Sequence, residues 1–285
     1  DASGSVQMML AVQQECLRIP TIINSMTVEE KVAQLFIARF PASEPLTIAA
    51  DYQPGGFIFF SADFSYREPA SFLPLAQQCN DVAKLPLLMG GDEAGGTVNR
   101  IRRYSQYRDY PVSSPQELYD EGGLEAVRAD TVEKCQLLKS LGLNLNFAPV
   151  CDISTNANDY IYYRTTGRGA AETADYVTCV VETMNQEQVG SVLKHFPGYG
   201  NNSDTHSGLA YDNRSYESFQ NNDFLPFQAG IEAGASMVLV SHNIVACMDE
   251  DMPASLSPAV HRILREELGF KGVIITDDLV MGAIK

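Results

Sequence analysis

Residues 190–200 read GSVLKHFPGYG, an apolar run that ends in charged residues and passes into a loop rich in glycine and proline. A short apolar run of this kind, bounded by glycine, is typical of a buried β-strand. Six further runs of the same character occur along the chain. They are QLFIAR (34–39), GFIFFS (56–61), LPLLMGG (85–91), LNLNFAPV (143–150), SMVLVSH (236–242) and GVIITDD (272–278).

Longer segments with helical spacing of apolar residues separate these runs. Residues 115–142 start at Ser-Pro and end at Gly142, where a helix C-cap is expected. Residues 169–188, 214–233 and 255–270 have the same character. This alternation predicts an α/β fold with a parallel sheet, and seven such units predict a TIM-like (β/α)8 barrel. The alternative is a doubly wound dinucleotide-binding sheet, but no GxGxxG loop follows the first strand.

The chain stops at Lys285, only a few residues after the seventh run. We therefore expect one domain over residues 1–285, a barrel that lacks its last βα unit because the chain is cut short at its C-terminus. Active sites of such barrels form at the C-terminal ends of the strands. The polar residues at or just after these ends are Arg39, Ser61, Asp92, Asp152, Lys194, His195, His242, Asp277 and Asp278.

The composition argues against several classes of protein. The formal net charge is −16 and no basic patch is present, so a nucleic-acid partner is not expected. Four histidines without HxH or HExxH spacing and six cysteines without a CxxC pair predict no metal site, and we expect no cofactor. No apolar run reaches the roughly 20 residues that span a bilayer.

The chain begins at Asp1 rather than methionine, which fits a cleaved leader. We therefore favour the cell envelope or secretion over the cytoplasm. We also expect the protein to be a monomer.

A possible acid/base pair occurs in the segment KHFPGYGNNSDTHSG (194–208), which follows a predicted strand. Asp204 and His206 are two residues apart, so a loop can turn the carboxylate toward the imidazole and raise its basicity. The alternative is a loop stabilised by Asx turns with an exposed histidine. The spacing alone leaves both interpretations open.

Two further segments carry candidate carboxylates at strand ends. In ITDDL (275–279), Asp277 is the better candidate to point inward as a nucleophile, and Asp278 is a candidate helix N-cap. In GGDEAGGTVNRI (90–101), Asp92 and Arg100 flank a Gly-Gly turn that allows close approach of a ligand. That turn is explained equally well as a βα connection that needs positive φ, followed by a surface arginine.

Together these segments resemble glycoside hydrolase family 3, and specifically its bacterial β-N-acetylglucosaminidases. The resemblance implies that Asp277 is the catalytic nucleophile and His206 the general acid/base, with Asp204 as its partner. It also implies that five residues grip the terminal sugar, and that His242, at the matching end of the sixth strand, belongs to the substrate-binding residues. Those five are Asp92, Arg100, Arg164, Lys194 and His195. The resemblance rests on MTVEEKVAQLF (26–36), GGDEAGGTVNR (90–100), NFAPVCDIST (146–155), YRTTG (163–167), residues 194–208 and PASLSPAVHRILREELGFKGVIITDDLVMGAI (253–284).

The implied activity is the retaining hydrolysis of terminal non-reducing N-acetyl-β-D-glucosamine from cell-wall or chitin-type oligosaccharides, through a covalent glycosyl-enzyme. Three departures from the family pattern bear on specificity: Ala94 at the glycine turn, Tyr199 in place of a common histidine, and Thr165-Thr166 in place of Ser-Phe. One alternative is a family 3 β-glucosidase or β-xylosidase, whose acid is typically a glutamate from a second domain. Another is a non-catalytic sugar-binding scaffold.

Overall fold

The computed structural model describes residues 18–109, 112–202, 208 and 210–284. Contacts between α-carbons divide the chain into two compact units. Of the described residues, 18–58 and Gln77–Leu88 form the first unit, and Phe59–Ala76 and those from Met89 to 284 form the second. We describe each unit by itself.

The first unit contains two short parallel strands, β1 (Ile37–Arg39) and β2 (Gly56–Ile58), with Ile37 opposite Gly56. Helix α1 (Val28–Ala33) precedes β1, and helix α2 (Pro45–Tyr52) connects the two strands. The capping box of α1 fixes its start, because Thr27 accepts from the Glu30 amide and Glu30 accepts from the Thr27 amide. The predicted strand 34–39 begins later than expected because the α1 C-cap and its following turn use residues 34–36.

The second unit contains five parallel strands, which lie side by side in the order in which they follow one another along the chain. All seven predicted strands are therefore confirmed across the two units. The run 143–150 forms only a two-residue strand, because the Ala148 amide turns back to the Asn146 carbonyl at 2.8 Å and Pro149 has no N–H to contribute to a ladder. The strands of this unit are β3 (Leu88–Gly91), β6 (Leu145–Asn146), β7 (Gly190–Phe196), β9 (Met237–Val240) and β11 (Val273–Thr276).

Helices follow these strands as expected. Gly123 interrupts α5 with φ 59°, so this element consists of two helices across a kink. Helix α8 packs closely on β7 and α6, because a Cβ at Gly230 would lie 2.7 Å from Leu193 and 2.8 Å from Val177. The helices are α3 (Ser61–Ser65), α4 (Phe72–Val82), α5 (Pro115–Ser140), α6 (Ala170–Gln186), α7 (Tyr216–Ser218), α8 (Phe224–Glu232) and α9 (Pro258–Arg262). No helix of the described residues is both long and apolar enough to cross a membrane.

Two small strand pairs add to this framework. An antiparallel hairpin follows β3 directly and is formed by β4 (Glu93–Gly95) and β5 (Val98–Asn99). Gly95 and Gly96 turn this hairpin with φ values of 109° and 55°, a region that favours glycine. The second pair, β8 (Tyr211–Asp212) with β10 (Ile244–Val245), is parallel. Neither pair was expected from the sequence, because two- and three-residue strands carry no periodic signal.

Candidate active site

The C-terminal ends of four parallel strands in the second unit carry charged side chains. Asp92 follows β3, Asp152 follows β6, Lys194 and His195 lie in β7, and Asp277 follows β11. Because these strands are parallel neighbours, their C-terminal ends lie along one edge of the sheet. The fold therefore brings together these charged side chains, which the sequence had placed at strand ends. Asp152 is one of them, although no role was predicted for it from the sequence.

Lys194 and Asp92 form an ion pair across this edge. The Lys194 Nζ donates to Asp92 Oδ1 at 2.7 Å, and Arg100 Nη2 lies 3.8 Å from Asp92 Oδ2. Burial alone would raise the pKa of Asp92, but the nearby cations Lys194, Arg164 and Arg100 lower it. Burial also lowers the pKa of Lys194, although Asp92 counteracts this effect. The pair therefore presents an ionised carboxylate and an ammonium group beside each other.

His195 is held in one tautomer by its two neighbours. Its Nδ1 lies 2.7 Å from Asp152 Oδ2, and its Nε2 lies 3.2 Å from Arg164 Nη2. Because the guanidinium can only donate, Nε2 is the acceptor. Nδ1 therefore carries the ring proton and donates a hydrogen bond to Asp152. Burial lowers the pKa of His195, so its ring is neutral at physiological pH. Asp152 also accepts from the backbone amides of His195 at 3.1 Å and Tyr199 at 2.7 Å.

A buried group of charges supports the hairpin that follows Asp92. Glu93 is fully buried and accepts from the Arg100 backbone amide at 2.5 Å and from Arg102 Nε at 3.1 Å. Arg102 also donates to Asp130 at 2.7 Å, and Asp130 lies 2.6 Å from the Lys134 ammonium. Burial raises the pKa of Glu93 in spite of Arg102. These contacts fix the backbone at Arg100, whose side chain lies beside the Asp92 carboxylate.

Asp277 lies half-buried immediately after β11. Its backbone amide donates to the Val240 carbonyl at 3.0 Å, and its Oδ1 accepts from the Asp278 amide at 2.8 Å. The charge of Asp277 acts to raise the pKa values of both Lys194 and His195, so all three groups lie within electrostatic reach of one another. The carboxylate proposed as nucleophile from the sequence is therefore within electrostatic reach of two residues of the predicted sugar-binding cluster.

His242 is fully buried, and both of its ring nitrogens have partners within the protein. Its Nε2 lies 3.0 Å from the Asp278 carbonyl oxygen, and its Nδ1 lies 2.7 Å from the Ser255 hydroxyl. A carbonyl only accepts, so Nε2 carries the proton and Nδ1 accepts from Ser255. His242 thus fixes the turn after β11, and a direct contact with substrate stays a prediction.

Asp204 and His206 lie outside the described residues, so their predicted pairing stays a prediction. The segments on either side of them are joined by Arg214. Its guanidinium donates to both oxygens of Asp212 and of Asp223, at 2.8–3.1 Å, and to the Gly198 carbonyl at 3.1 Å. Asn202 reaches Asp212 Oδ2 at 2.8 Å. These hydrogen bonds therefore connect residues 198–202 with residues 212–214.

Comparison with known proteins agrees with this arrangement. Residues 27–285 match the glycosyl hydrolase family 3 N-terminal domain. The chain belongs to this family. A β-hexosaminidase of Xanthomonas campestris pv. campestris is 33% identical over 233 residues, which cover 80% of this chain and 69% of the relative. A β-hexosaminidase of Stenotrophomonas maltophilia is 34% identical over 241 residues, which cover 80% of this chain and 68% of the relative.

A solved structure shares the fold of this family 3 chain. The family 3 β-N-acetylglucosaminidase from Paenibacillus sp. str. FPU-7 superimposes with a TM-score of 0.81 at 29% identity. The match covers 91% of this chain and 51% of that protein, so the chain spans about half the length of the Paenibacillus enzyme. The predicted family and the predicted α/β-barrel fold class are confirmed, and the described residues contain seven of the parallel strands of such a barrel.

The departures from the family pattern lie close to the predicted sugar-binding cluster. Tyr199 is almost fully buried, and its ring centroid lies 5.7 Å from that of His195. Thr165 and Thr166 are also buried, and the Thr166 hydroxyl lies 2.9 Å from that of Thr173 on α6. Ala94 lies in the β4–β5 hairpin, where its carbonyl is 3.4 Å from the Lys134 ammonium. The two threonines and the alanine therefore pack the segments that carry Arg164 and Asp92.

Proposed function

We propose that this chain is a retaining glycosidase that removes terminal non-reducing N-acetyl-β-D-glucosamine from cell-wall or chitin-type oligosaccharides. The observation that carries the proposal is the half-buried Asp277 carboxylate at the end of β11, within electrostatic reach of Lys194 and His195. The β-hexosaminidase names of the relatives support the choice of sugar. We further propose that the chain acts as one catalytic domain and as a monomer.

In the first step, Asp277 attacks the anomeric carbon and the bond from that carbon to the leaving oxygen breaks. One oxygen of Asp277 already accepts from the Asp278 amide, which fixes the carboxylate plane and leaves the other oxygen for attack. His206 gives its proton to the leaving oxygen, and the resulting imidazole is oriented by Asp204. The product is a glycosyl ester on Asp277.

In the second step, water attacks the anomeric carbon of this ester and Asp277 leaves as a carboxylate. His206 takes a proton from the water and returns to its starting form. The Asp92–Lys194 pair and the Arg164–His195 pair supply acceptors and donors that orient the hydroxyl groups of the terminal sugar. A geometry held by buried ion pairs needs little reorganisation during the reaction.

The test compares an aryl N-acetyl-β-glucosaminide with the matching aryl β-glucoside. We expect a preference for the acetamido sugar and complete loss of turnover in Asp277→Ala. Preference for the glucoside would instead support a β-glucosidase, and binding of the sugar without hydrolysis would support a non-catalytic scaffold.

The acid role is tested separately with two leaving groups. His206→Ala should slow hydrolysis of an alkyl glycoside, which needs a proton, by about a hundredfold or more, and should affect an activated nitrophenyl glycoside far less. An equal loss for both leaving groups would contradict the role of His206 as general acid. Asp204→Asn should show the same dependence on the leaving group with a smaller loss.

A further inference from the structure

A loop between β6 and α6 exposes two aromatic side chains next to a residue of the proposed sugar site. Tyr160 is 41% exposed and Tyr163 is 59% exposed, whereas Ile161 between them is fully buried. The buried isoleucine anchors the backbone, so its neighbours are directed toward solvent. Arg164, which contacts His195, ends the same loop.

Hydrogen bonds inside the loop hold it in one conformation. The Ser154 hydroxyl donates to Asp159 Oδ2 at 2.7 Å, and Asn156 Oδ1 accepts from the Asn158 amide at 3.1 Å. At the other end, the Thr165 hydroxyl donates to the Tyr162 carbonyl at 2.9 Å. A surface that is already ordered loses little conformational entropy when a ligand binds.

Aromatic rings connect Tyr160 to the proposed sugar site. The Tyr160 ring centroid lies 5.8 Å from that of Tyr199, and the Tyr199 centroid lies 5.7 Å from that of His195. His195 in turn lies within hydrogen-bond distance of Arg164 and is electrostatically coupled to Asp277. The partly exposed ring of Tyr160 is therefore two ring contacts away from the group that would hold the terminal sugar.

We propose that Tyr160 is a stacking platform for the second sugar of the substrate, the one on the leaving side of the cleaved bond. The inference rests on the proposed glycosidase function and adds to it the class of leaving group, a β-linked pyranose. One face of such a ring presents mainly C–H groups, and tyrosine offers a flat apolar face with a hydroxyl at its edge. The Asn156 and Asn158 side chains of the same ordered loop carry amide groups that can donate to and accept from sugar hydroxyl groups.

The test compares a β-linked N-acetylglucosamine disaccharide with methyl N-acetyl-β-glucosaminide, which has no second ring. In Tyr160→Ala, we expect kcat/KM for the disaccharide to fall about threefold to tenfold, mainly through KM, because one aromatic stacking contact is lost. The methyl glycoside should change less than twofold. Tyr160→Phe keeps the ring and should behave like the wild type.

Tyr163→Ala is the matched control, because it removes an exposed tyrosine of the same loop whose ring packs on Tyr162. It should leave the ratio of the two substrates unchanged. The stacking role of Tyr160 would be contradicted if Tyr160→Ala lowered kcat/KM equally for both substrates, or if Tyr163→Ala lowered kcat/KM for the disaccharide to the same extent. If the wild type cleaves neither substrate, the proposed activity fails. In that case the stacking role of Tyr160 is tested by binding. Tyr160→Ala should weaken the affinity for the disaccharide but not the affinity for free N-acetylglucosamine, and Tyr163→Ala should change neither.

Discussion

Removing the guanidinium of Arg214 should destabilise the protein more than removing any exposed arginine. Arg214 lies between Asp212 and Asp223, whose side chains are 1% and 3% exposed. In Arg214→Met both carboxylates stay buried but lose the cation that neutralises them. Breaking a buried ion pair by removing one partner costs about 3–5 kcal/mol. For a chain of this size we expect the unfolding temperature to fall by roughly 10 °C.

The loss should depend on pH in a defined direction. In the wild type, burial and the neighbouring carboxylates Asp152 and Asp212 raise the pKa of Asp223 to about 6 in spite of Arg214. Without Arg214 this pKa rises further above its unfolded value. A carboxyl group with a raised folded pKa contributes stability at low pH that is lost as pH rises through the folded pKa. The variant should therefore be less impaired at pH 5.5 than at pH 7.5.

Denaturant unfolding of four proteins at these two pH values measures the effect. The double variant Arg214→Met/Asp223→Asn removes one uncompensated charge. It should therefore be more stable than Arg214→Met at pH 7.5, and the gain should be smaller at pH 5.5. Arg168→Met is the matched control, because Arg168 pairs with the exposed Asp120 and should cost under about 1 kcal/mol. The reasoning is refuted if Arg214→Met loses the same stability at both pH values, or if the Asp223 substitution recovers nothing.

Two further substitutions test the groups around the proposed site. Asp152→Asn removes the charge that orients His195 and leaves one acceptor oxygen in place of two, so kcat/KM for an aryl substrate should fall about tenfold to a hundredfold, and denaturant unfolding should show a loss of about 1–3 kcal/mol; an unchanged kcat/KM would contradict an orienting role. His242→Ala leaves the Asp278 carbonyl and the buried Ser255 hydroxyl without their present partner, so denaturant unfolding should show a loss of about 2–3 kcal/mol, against a smaller loss for Ser255→Ala. Equal losses in these two variants would argue against the Asp278 contact.

The sequence predicted the strands of this fold well because each one is a compact apolar run that ends in polar residues. The run 190–196 matches β7 residue for residue. The run 143–150 was predicted too long, because an apolar pattern does not register that Pro149 lacks a donor. The β4–β5 hairpin was missed for a different reason. Its formation depends on contacts of Glu93 with residues seven to nine positions away, which no local pattern encodes.

The sequence indicated which residues of the predicted site lie near one another. It did not indicate which of them form ion pairs or hydrogen bonds. Asp92 and Lys194 are 102 residues apart, and only the parallel order of β3, β6 and β7 brings them to 2.7 Å. Asp152 was noted at a strand end without a role, although it bonds both His195 and the Tyr199 amide. Its position directly after an apolar strand was the one signal available. His242 was predicted to bind substrate, and this stays a prediction; the partners of its ring in the described residues are Ser255 and the Asp278 carbonyl.

The pairing of the carboxylates explains why Asp277, rather than Asp92 or Asp152, is the better nucleophile. A nucleophile must be ionised and must keep an oxygen available for attack. Asp92 is bonded to an ammonium group, and Asp152 uses both oxygens for the ring and backbone of the β7 segment. In the described part of the chain, the hydrogen bond of the Asp277 carboxylate is to the next amide, through one oxygen. The charge of Asp277 interacts with Lys194 and with His195, but its carboxylate forms no hydrogen bond with either side chain among those of the described residues, so the oxygen that does not accept from the Asp278 amide keeps its lone pairs for attack.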